Sequence, residues 1–287
     1  MTVAVLGPGA VGGVLTVGLM KAGVDVVCIA RPATAAAIRS EGLSLRQGEK
    51  VHTVRPEVVT ELAEQVELLL VTVKAPALDE ALERVEAAPR FAVPLLNGIE
   101  HMQTLRERLP DTTVVGGSIG RIEAWLERPG VVVQPTPSVV MTVASGAPLE
   151  LLRRSGVEVR ENGSAVEVLW EKLARQAPTA AATSVTQRPI GELRSDPEWR
   201  GRLRAAIEET CAVAAADGVT LSPDAEWEII EAMPPLLTSS TARDIAAGVP
   251  SELDAIAGAA VRAGRRLGVD TPVLAQMYDE ACRASLR

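Results

Sequence analysis

Apolar residues along this chain change their period once. In the first part they come as short, nearly unbroken runs: Val3-Ala4-Val5-Leu6, Val24 to Ile29, Val66 to Val73, Phe91 to Leu96, Thr113 to Val115, Val131 to Val133 and Val139 to Val143, punctuated by Gly and Pro. Runs of this length predict strands of a parallel sheet buried on both faces, with helix-compatible stretches between them as crossovers. Leu43 to Val54 alternates around Gln47-Gly48 instead, which predicts a small antiparallel hairpin inserted in the parallel order, and Val157-Glu158-Val159 offers a last strand to close the sheet. After Gly163-Ser164 the alternation stops. Ala, Leu, Glu and Arg recur at helical spacing, interrupted by Pro178, Pro189, Pro197, Pro223 and Pro234-Pro235. Ser164 with Glu167 three residues on forms a capping box at the first of these helices. The fold class is therefore α/β: an N-terminal doubly wound Rossmann-type parallel-sheet domain over residues 1–163, followed by an all-α C-terminal domain over 164–287.

The first run breaks into Gly7-Pro8-Gly9-Ala10-Val11-Gly12 and continues into helix-compatible sequence through Met20. In a Gly-x-Gly-x-x-Gly turn the first glycine makes the tight turn and the second clears the backbone for a pyrophosphate. The third lets helix and strand pack closely, and amide N–H groups at the helix start receive the phosphates. The context such a motif needs, strand before and helix after, is present here. The second strand ends in Ala30-Arg31, where an NAD-binding chain commonly carries an acidic residue for the ribose 2′-hydroxyl. Arginine at that place suits a 2′-phosphate through charge-assisted hydrogen bonds and stacking, so the cofactor expected is NADP(H). An arginine on a loop is also an ordinary solvated residue, and the sequence leaves that alternative open.

Composition narrows the partners. A net charge of -8 and a pI near 5.1 disfavour non-specific contact with nucleic acid or anionic membranes, so the expected partner is a small molecule. No run approaches eighteen apolar residues and the chain opens on a strand, which makes the cytoplasm the expected location. Cys28, Cys211 and Cys282 are scattered and odd in number, which reads as inert buried thiols with no disulfide frame and no metal site. The four tryptophans, Trp125, Trp170, Trp199 and Trp227, read as core or interface packing, His52 as an exposed strand residue, and His101 as a helix-surface histidine.

Ligands of open α/β sheets lie beyond the carboxyl ends of the strands. Lys74 follows one such end and Asn97-Gly98 another, so both are candidate site residues, although a solvated lysine and a simple turn explain them equally. In the helical part, Lys172 and Gln176 are four apart and share a helix face. Thr238 to Ile245 and Ser251 to Asp254 form a second polar block, with Glu252 opening a helix.

Taken together, Gly7-x-Gly9-Ala10-x-Gly12, Arg31, Val73-Lys74-Ala75, Leu96-Asn97-Gly98, Ala124 before Pro129-Gly130, Trp170-x-Lys172-Leu173, Gly191-Glu192-Leu193, Ser239-Ser240 with Asp244, and Glu252-x-Asp254 resemble the ketopantoate reductase family in the same order along essentially the whole chain. The resemblance implies an NADPH-dependent reductase of a small 2-oxo acid. By it, Lys172 donates the proton to the ketone oxygen and Glu252 positions that lysine and contacts bound ligand, cofactor included. The glycine-turn residues Gly7 to Gly12, Arg31, Lys74, Asn97 and Ala124 hold the cofactor. Lys172, Gln176, Asn97, Ser239 and Ser240 hold the substrate, Ser240 through its carboxylate. A homodimer is expected by analogy. The departures are Gln176, Ala180 and Ile190, which stand where the family carries asparagines, and Pro178, which is expected to kink its helix. They predict a pocket with fewer polar contacts and a more apolar 2-oxo substrate. Two other readings are a β-hydroxyacid dehydrogenase or imine reductase, whose lysine motif on a long central helix lacks the Ser239-Ser240 to Glu252 block, and a non-catalytic NADP-binding redox sensor, against which stand Lys172 and Glu252.

Overall fold

The computed structural model describes residues 1–285, and the chain folds into two compact units. The first comprises Met1–Leu96 and His101–Val168; the second takes Asn97–Glu100 together with the chain from Leu169 onward.

Along the first unit the elements are β1 (Thr2–Leu6), α1 (Ala10–Lys21), β2 (Asp25–Ile29), α2 (Pro32–Glu41), β3 (Leu43–Gln47), β4 (Lys50–Val54), β5 (Glu57–Val59), β6 (Leu68–Val71), α3 (Leu78–Leu82), β7 (Phe91–Pro94), α4 (His101–Arg108) and β8 (Thr113–Val114). They continue as β9 (Gly117–Gly120), β10 (Glu123–Arg128), β11 (Val131–Thr136), β12 (Val140–Val143), α5 (Leu149–Arg153) and β13 (Glu158–Glu161). The main sheet is wholly parallel, in the order β5-β2-β1-β6-β7-β8, which is the dinucleotide-fold order with β1 beside the point where the winding reverses. Why β1 is apolar throughout follows from its place: Val3 and Val5 enter one core with α1, while Ala4 and Leu6 enter a second core with Leu78, Leu82 and Leu105 on the opposite face. Both faces are covered, so alternation disappears.

Two expectations are corrected here. The hairpin β3–β4 is formed as read, with Leu43 opposite Val54, but it belongs to a separate sheet in the order β10-β11-β3-β4, β3 pairing parallel to β11. The reason is α1, whose Val14 and Val17 share one core with Leu43, Leu45 and Val132 of that sheet. Likewise the last strand does not close the main sheet; β13 pairs with β12 in a third sheet, β13-β12-β9.

The second unit is helical: α6 (Ala165–Thr186, its residues from Leu169 onward), α7 (Ile190–Ser195), α8 (Pro197–Ala216), α9 (Pro223–Glu231), α10 (Ser240–Ala246), a π-helical turn over Asp254–Gly258, α11 (Ala259–Leu267) and α12 (Pro272–Ala284). The capping box forms as expected, Glu167 N–H donating to Ser164 Oγ at 3.3 Å and Ser164 N–H to Glu167 Oε2 at 2.6 Å. Pro178 does not interrupt its helix, which runs unbroken over Ala165–Thr186. Proline lacks the N–H that would bond the carbonyl of Ala174, four residues back. That carbonyl, on a fully buried residue, instead accepts from Thr210 Oγ1 of α8 at 2.7 Å, closer than the 3.0 Å from the same hydroxyl to its own helix at Ala206 and Ile207. Thr210→Val keeps the shape and orphans this acceptor, so chemical denaturation should read a loss of about 1–3 kcal/mol; an unchanged midpoint would show that the carbonyl has another partner.

Further corrections concern burial. His101 is 5% exposed and buried rather than lying on a helix surface, and Trp125, on the edge strand β10, is 48% exposed and so lies outside the core. Trp170 and Trp227 are buried as read. Cys28 and Cys211 are buried free thiols, burial pushing both up to about 11, whereas Cys282 is only half-buried.

Candidate active site

In the first unit the candidate site is the turn after β1. Gly7 has φ +86°, and a Cβ there would sit 2.5 Å from Val73 Cγ1; a Cβ on Gly12 would meet Gly7 O at 2.4 Å and Thr72 Oγ1 at 2.5 Å. Thr72 fastens the turn from the next strand end, its hydroxyl 3.0 Å from Leu6 O and 2.8 Å from Gly7 O. Gly9 is different: a Cβ there would meet nothing nearer than 4.0 Å, so its backbone faces open space at the start of α1. This cradle opens into a cavity of about 210 Å³ whose walls include Gly7, Pro8, Gly9, Arg31, Arg84 and Leu126. Arg31 stands at the N-terminus of α2, and Glu80 lies in the same wall, 4.0 Å from Arg31 Nε and 3.3 Å from Arg84 Nη2. The glycines and Arg31 are thus brought together. Arg84, Glu80 and Leu126 were not legible as site residues, since each reaches the cavity only through strand pairing and helix docking that no local pattern records. Lys74 is exposed at the N-terminus of the short helical turn Ala75–Ala77, next to the cavity-lining Val73, and Ala124 is half-buried on β10.

In the second unit the loop Asn97–Glu100 supplies the centre of a polar chain. Lys172 Nζ donates to Asn97 Oδ1 at 2.7 Å, Gln176 Nε2 donates to the same oxygen at 3.0 Å, and Asn97 Nδ2 donates to Glu252 Oε2 at 2.8 Å. The helical spacing of Lys172 and Gln176 is what aims both at one acceptor. Glu252 is 8% exposed and precedes the π-helical turn. Burial pushes the Lys172 ammonium down to about 8; the Glu252 carboxylate opposes that shift and the Arg175 charge adds to it. Arg175 is itself held by the buried Glu226 at 3.0 Å. A lysine near 8 is protonated at neutral pH yet releases its proton readily, as a general acid working at that pH requires. The remaining predicted residues lie elsewhere in the unit. Ser239 caps α10, accepting from Ala242 N–H at 3.0 Å and lying 2.7 Å from Thr183 Oγ1, while Ser240 is exposed at the start of that helix. Ala180 and Ile190 are buried in the helical core at 1% and 0% exposure.

A parallel sheet in the order β5-β2-β1-β6-β7-β8 with a glycine cradle at its switch point, joined in one chain to a helical unit bearing a Lys172–Asn97–Glu252 chain, fits the class of dinucleotide-dependent oxidoreductases. The comparisons give the family. Residues 3–146 match the ketopantoate reductase PanE/ApbA model and residues 164–282 its C-terminal counterpart, so the chain belongs to the ketopantoate reductase family. A 2-dehydropantoate 2-reductase of Pyrobaculum aerophilum is 31% identical, with 96% of this chain and 95% of that one covered. The crystal structure of a PanE/ApbA family ketopantoate reductase from Ralstonia eutropha superposes with a TM-score of 0.87 at 29% identity, covering 99% and 98% of the two chains. A D-mandelate dehydrogenase solved with NADH and anilino(oxo)acetate has a TM-score of 0.89 at 22% identity, covering 99% and 98%, a likeness of fold. Among the described residues no helix is long and apolar enough to cross a membrane.

Proposed function

We propose that the chain is an NADPH-dependent reductase of a small 2-oxo acid, with 2-dehydropantoate as the named substrate the family supports. The observation that carries this reading is the lysine held between burial and Glu252, hydrogen-bonded to Asn97. Fit to the cofactor rests on the open space beside Gly9 and the cavity whose wall carries Arg31 and Arg84, with Glu80 paired to both. Gly7 to Gly12 would hold the pyrophosphate, Arg31 the 2′-phosphate and Leu126 one wall of the adenosine, with Lys74, Asn97, Ala124 and Glu252 as further cofactor contacts. When bound, the reduced nicotinamide supplies the hydride for the 2-oxo carbon.

Lys172 then does the work that remains. As negative charge develops on the ketone oxygen, its ammonium stabilises that charge and passes a proton to it. Asn97 fixes the direction of the ammonium by accepting one of its hydrogens, and through its amide it also fixes Glu252. Gln176 has one hydrogen committed to Asn97, while its Oε1 is buried without a hydrogen-bond partner, which leaves it as an acceptor for a substrate hydroxyl. Ser240 supplies the carboxylate contact and Ser239 holds Ser240 in place through its cap. Ala180 and Ile190 contribute no polar side-chain atom and lie in the helical core at 1% and 0% exposure, which leaves Gln176 as the one polar side chain at the three departing positions.

Arg31→Ala is the test of the cofactor arm. Loss of a charge-assisted contact of about 1.5–3 kcal/mol should raise KM for NADPH roughly 10- to 100-fold and leave KM for NADH in place. Equal use of NADH and NADPH by the wild-type protein would overturn the assignment of the 2′-phosphate to Arg31. Steady-state reduction should also fall above about pH 8, roughly tenfold per pH unit, as Lys172 loses its proton, and the reverse oxidation should rise through the same range. A reduction rate flat to pH 10 would show that another group donates the proton.

A further inference from the structure

Asn97 and Glu252 are 155 residues apart, yet their side chains meet at 2.8 Å. The segment Asn97–Glu100 is irregular and has no ladder of its own to hold it against the helices. Its backbone lies directly on the π-helical turn: Gly98 has φ +87°, and a Cβ there would stand 2.0 Å from Ala255 O. Ile99 packs on the helical core, and the last residue, Glu100, is gripped at both carboxylate oxygens by Arg262 of α11, Nε and Nη2 each donating at 2.8 Å.

The same guanidinium reaches back to the turn that follows Glu252. Nη1 donates to Asp254 Oδ1 at 2.7 Å, and Nη2 lies 3.2 Å from Oδ2 and 3.0 Å from the Asp254 carbonyl. A π turn carries an extra residue, and such turns recur at functional sites. Tyr278 closes the cluster, its hydroxyl donating to Asp254 Oδ1 at 2.6 Å. Gly258 leaves room for it, because a Cβ there would lie 2.7 Å from Asp254 Oδ1 and 3.0 Å from both Arg262 Nη1 and Tyr278 Cζ. Single exposed ion pairs are weak, but a fork shared between two carboxylates and a carbonyl fixes geometry as well as energy.

We propose that Arg262 is a positioning residue: by tying Glu100 to Asp254 it locks the loop that carries Asn97 onto the turn that follows Glu252, and so holds the Lys172–Asn97–Glu252 chain in register for proton delivery. This rests on the reading of Lys172 as the acid. Asp254 and Glu100 face Arg262, whereas Glu252 and Arg175 are the charges that act on Lys172, so Arg262 works through the loop and not through its own field on the ammonium.

The chain has four lysines, Lys21, Lys50, Lys74 and Lys172, so ¹³C-lysine labelling allows the Lys172 resonance to be assigned by loss in Lys172→Arg and titrated without substrate or cofactor. In Arg262→Ala and in the isosteric Glu100→Gln, the freed loop admits water beside the ammonium. Its midpoint should then rise from about 8 toward the ordinary lysine value of 10.5. Turnover should fall about 10- to 100-fold, as expected when a catalytic group is misplaced by about an ångström. Arg262→Lys, which keeps the charge but not the fork, should fall between. A lower melting temperature with an unmoved Lys172 titration in both variants would reduce Arg262 to a structural staple and overturn the proposal. Full turnover in Lys172→Ala would overturn the acid reading instead, and the titration would still decide the clamp.

Discussion

Replacement of Lys172 by alanine is expected to lower turnover by about 10²- to 10⁴-fold, the span general acid assistance ordinarily covers, while leaving cofactor affinity unchanged. The second half of that expectation follows because Lys172 is not among the groups proposed to hold the cofactor, whose glycine cradle and Arg31 line a cavity of the first compact unit. The variant should fold, since Lys172 is half-buried and Asn97, which accepts from its Nζ, keeps Gln176 and Glu252 as partners. Removing the lysine also takes away a positive charge that interacts with the buried Glu252 carboxylate, so a modest loss of stability accompanies the loss of rate. Stopped-flow NADPH oxidation beside fluorescence titration of NADPH separates the two effects. Wild-type turnover in this variant would place the proton donor elsewhere.

The other large effect belongs to Gly12→Ala. A single methyl group here collides with the carbonyl oxygen of Gly7 at 2.4 Å and with Thr72 Oγ1 at 2.5 Å. Neither neighbour can yield cheaply. Gly7 O is backbone and accepts from Thr72 at 2.8 Å and from Gly9 N–H at 2.7 Å, so relieving the clash opens the turn itself. Overpacking of this kind costs about 1–3 kcal/mol. The distorted surface is the one proposed to receive the pyrophosphate, so NADPH affinity should fall by about 10²-fold or more alongside a lower unfolding midpoint. Isothermal titration and thermal unfolding read the two; NADPH binding at wild-type strength would remove the turn from the cofactor site.

What could be read from the sequence was whatever is encoded locally. The β1 run, the glycines after it and the capping box at Ser164 each lie within a few residues of what they organise, and each forms as the pattern requires. The order β5-β2-β1-β6-β7-β8 was legible only as a class, because strand pairing is set by which faces the helices cover. For that reason the hairpin β3–β4 and the strand β13 went to sheets of their own. The site was legible as residue types and not as an arrangement. Nothing near Asn97 announces that its amide joins Lys172 to Glu252, and nothing near Pro178 announces that Thr210, on another helix, repairs the carbonyl it leaves open. Ser239 illustrates the converse: its hydroxyl is committed to the α10 cap and to Thr183, a structural use that the motif alone does not reveal.

The most direct test of the account is NADPH oxidation by the wild-type protein across a panel of 2-oxo acids, from 2-dehydropantoate to analogues with unhydroxylated branched or aromatic chains, with Lys172→Ala run beside it. The account predicts turnover on at least one member, a rate that declines above about pH 8, and loss of about 10²-fold or more in the variant. Tight NADPH binding with no turnover on any member, or equal rates in the two proteins, would contradict it.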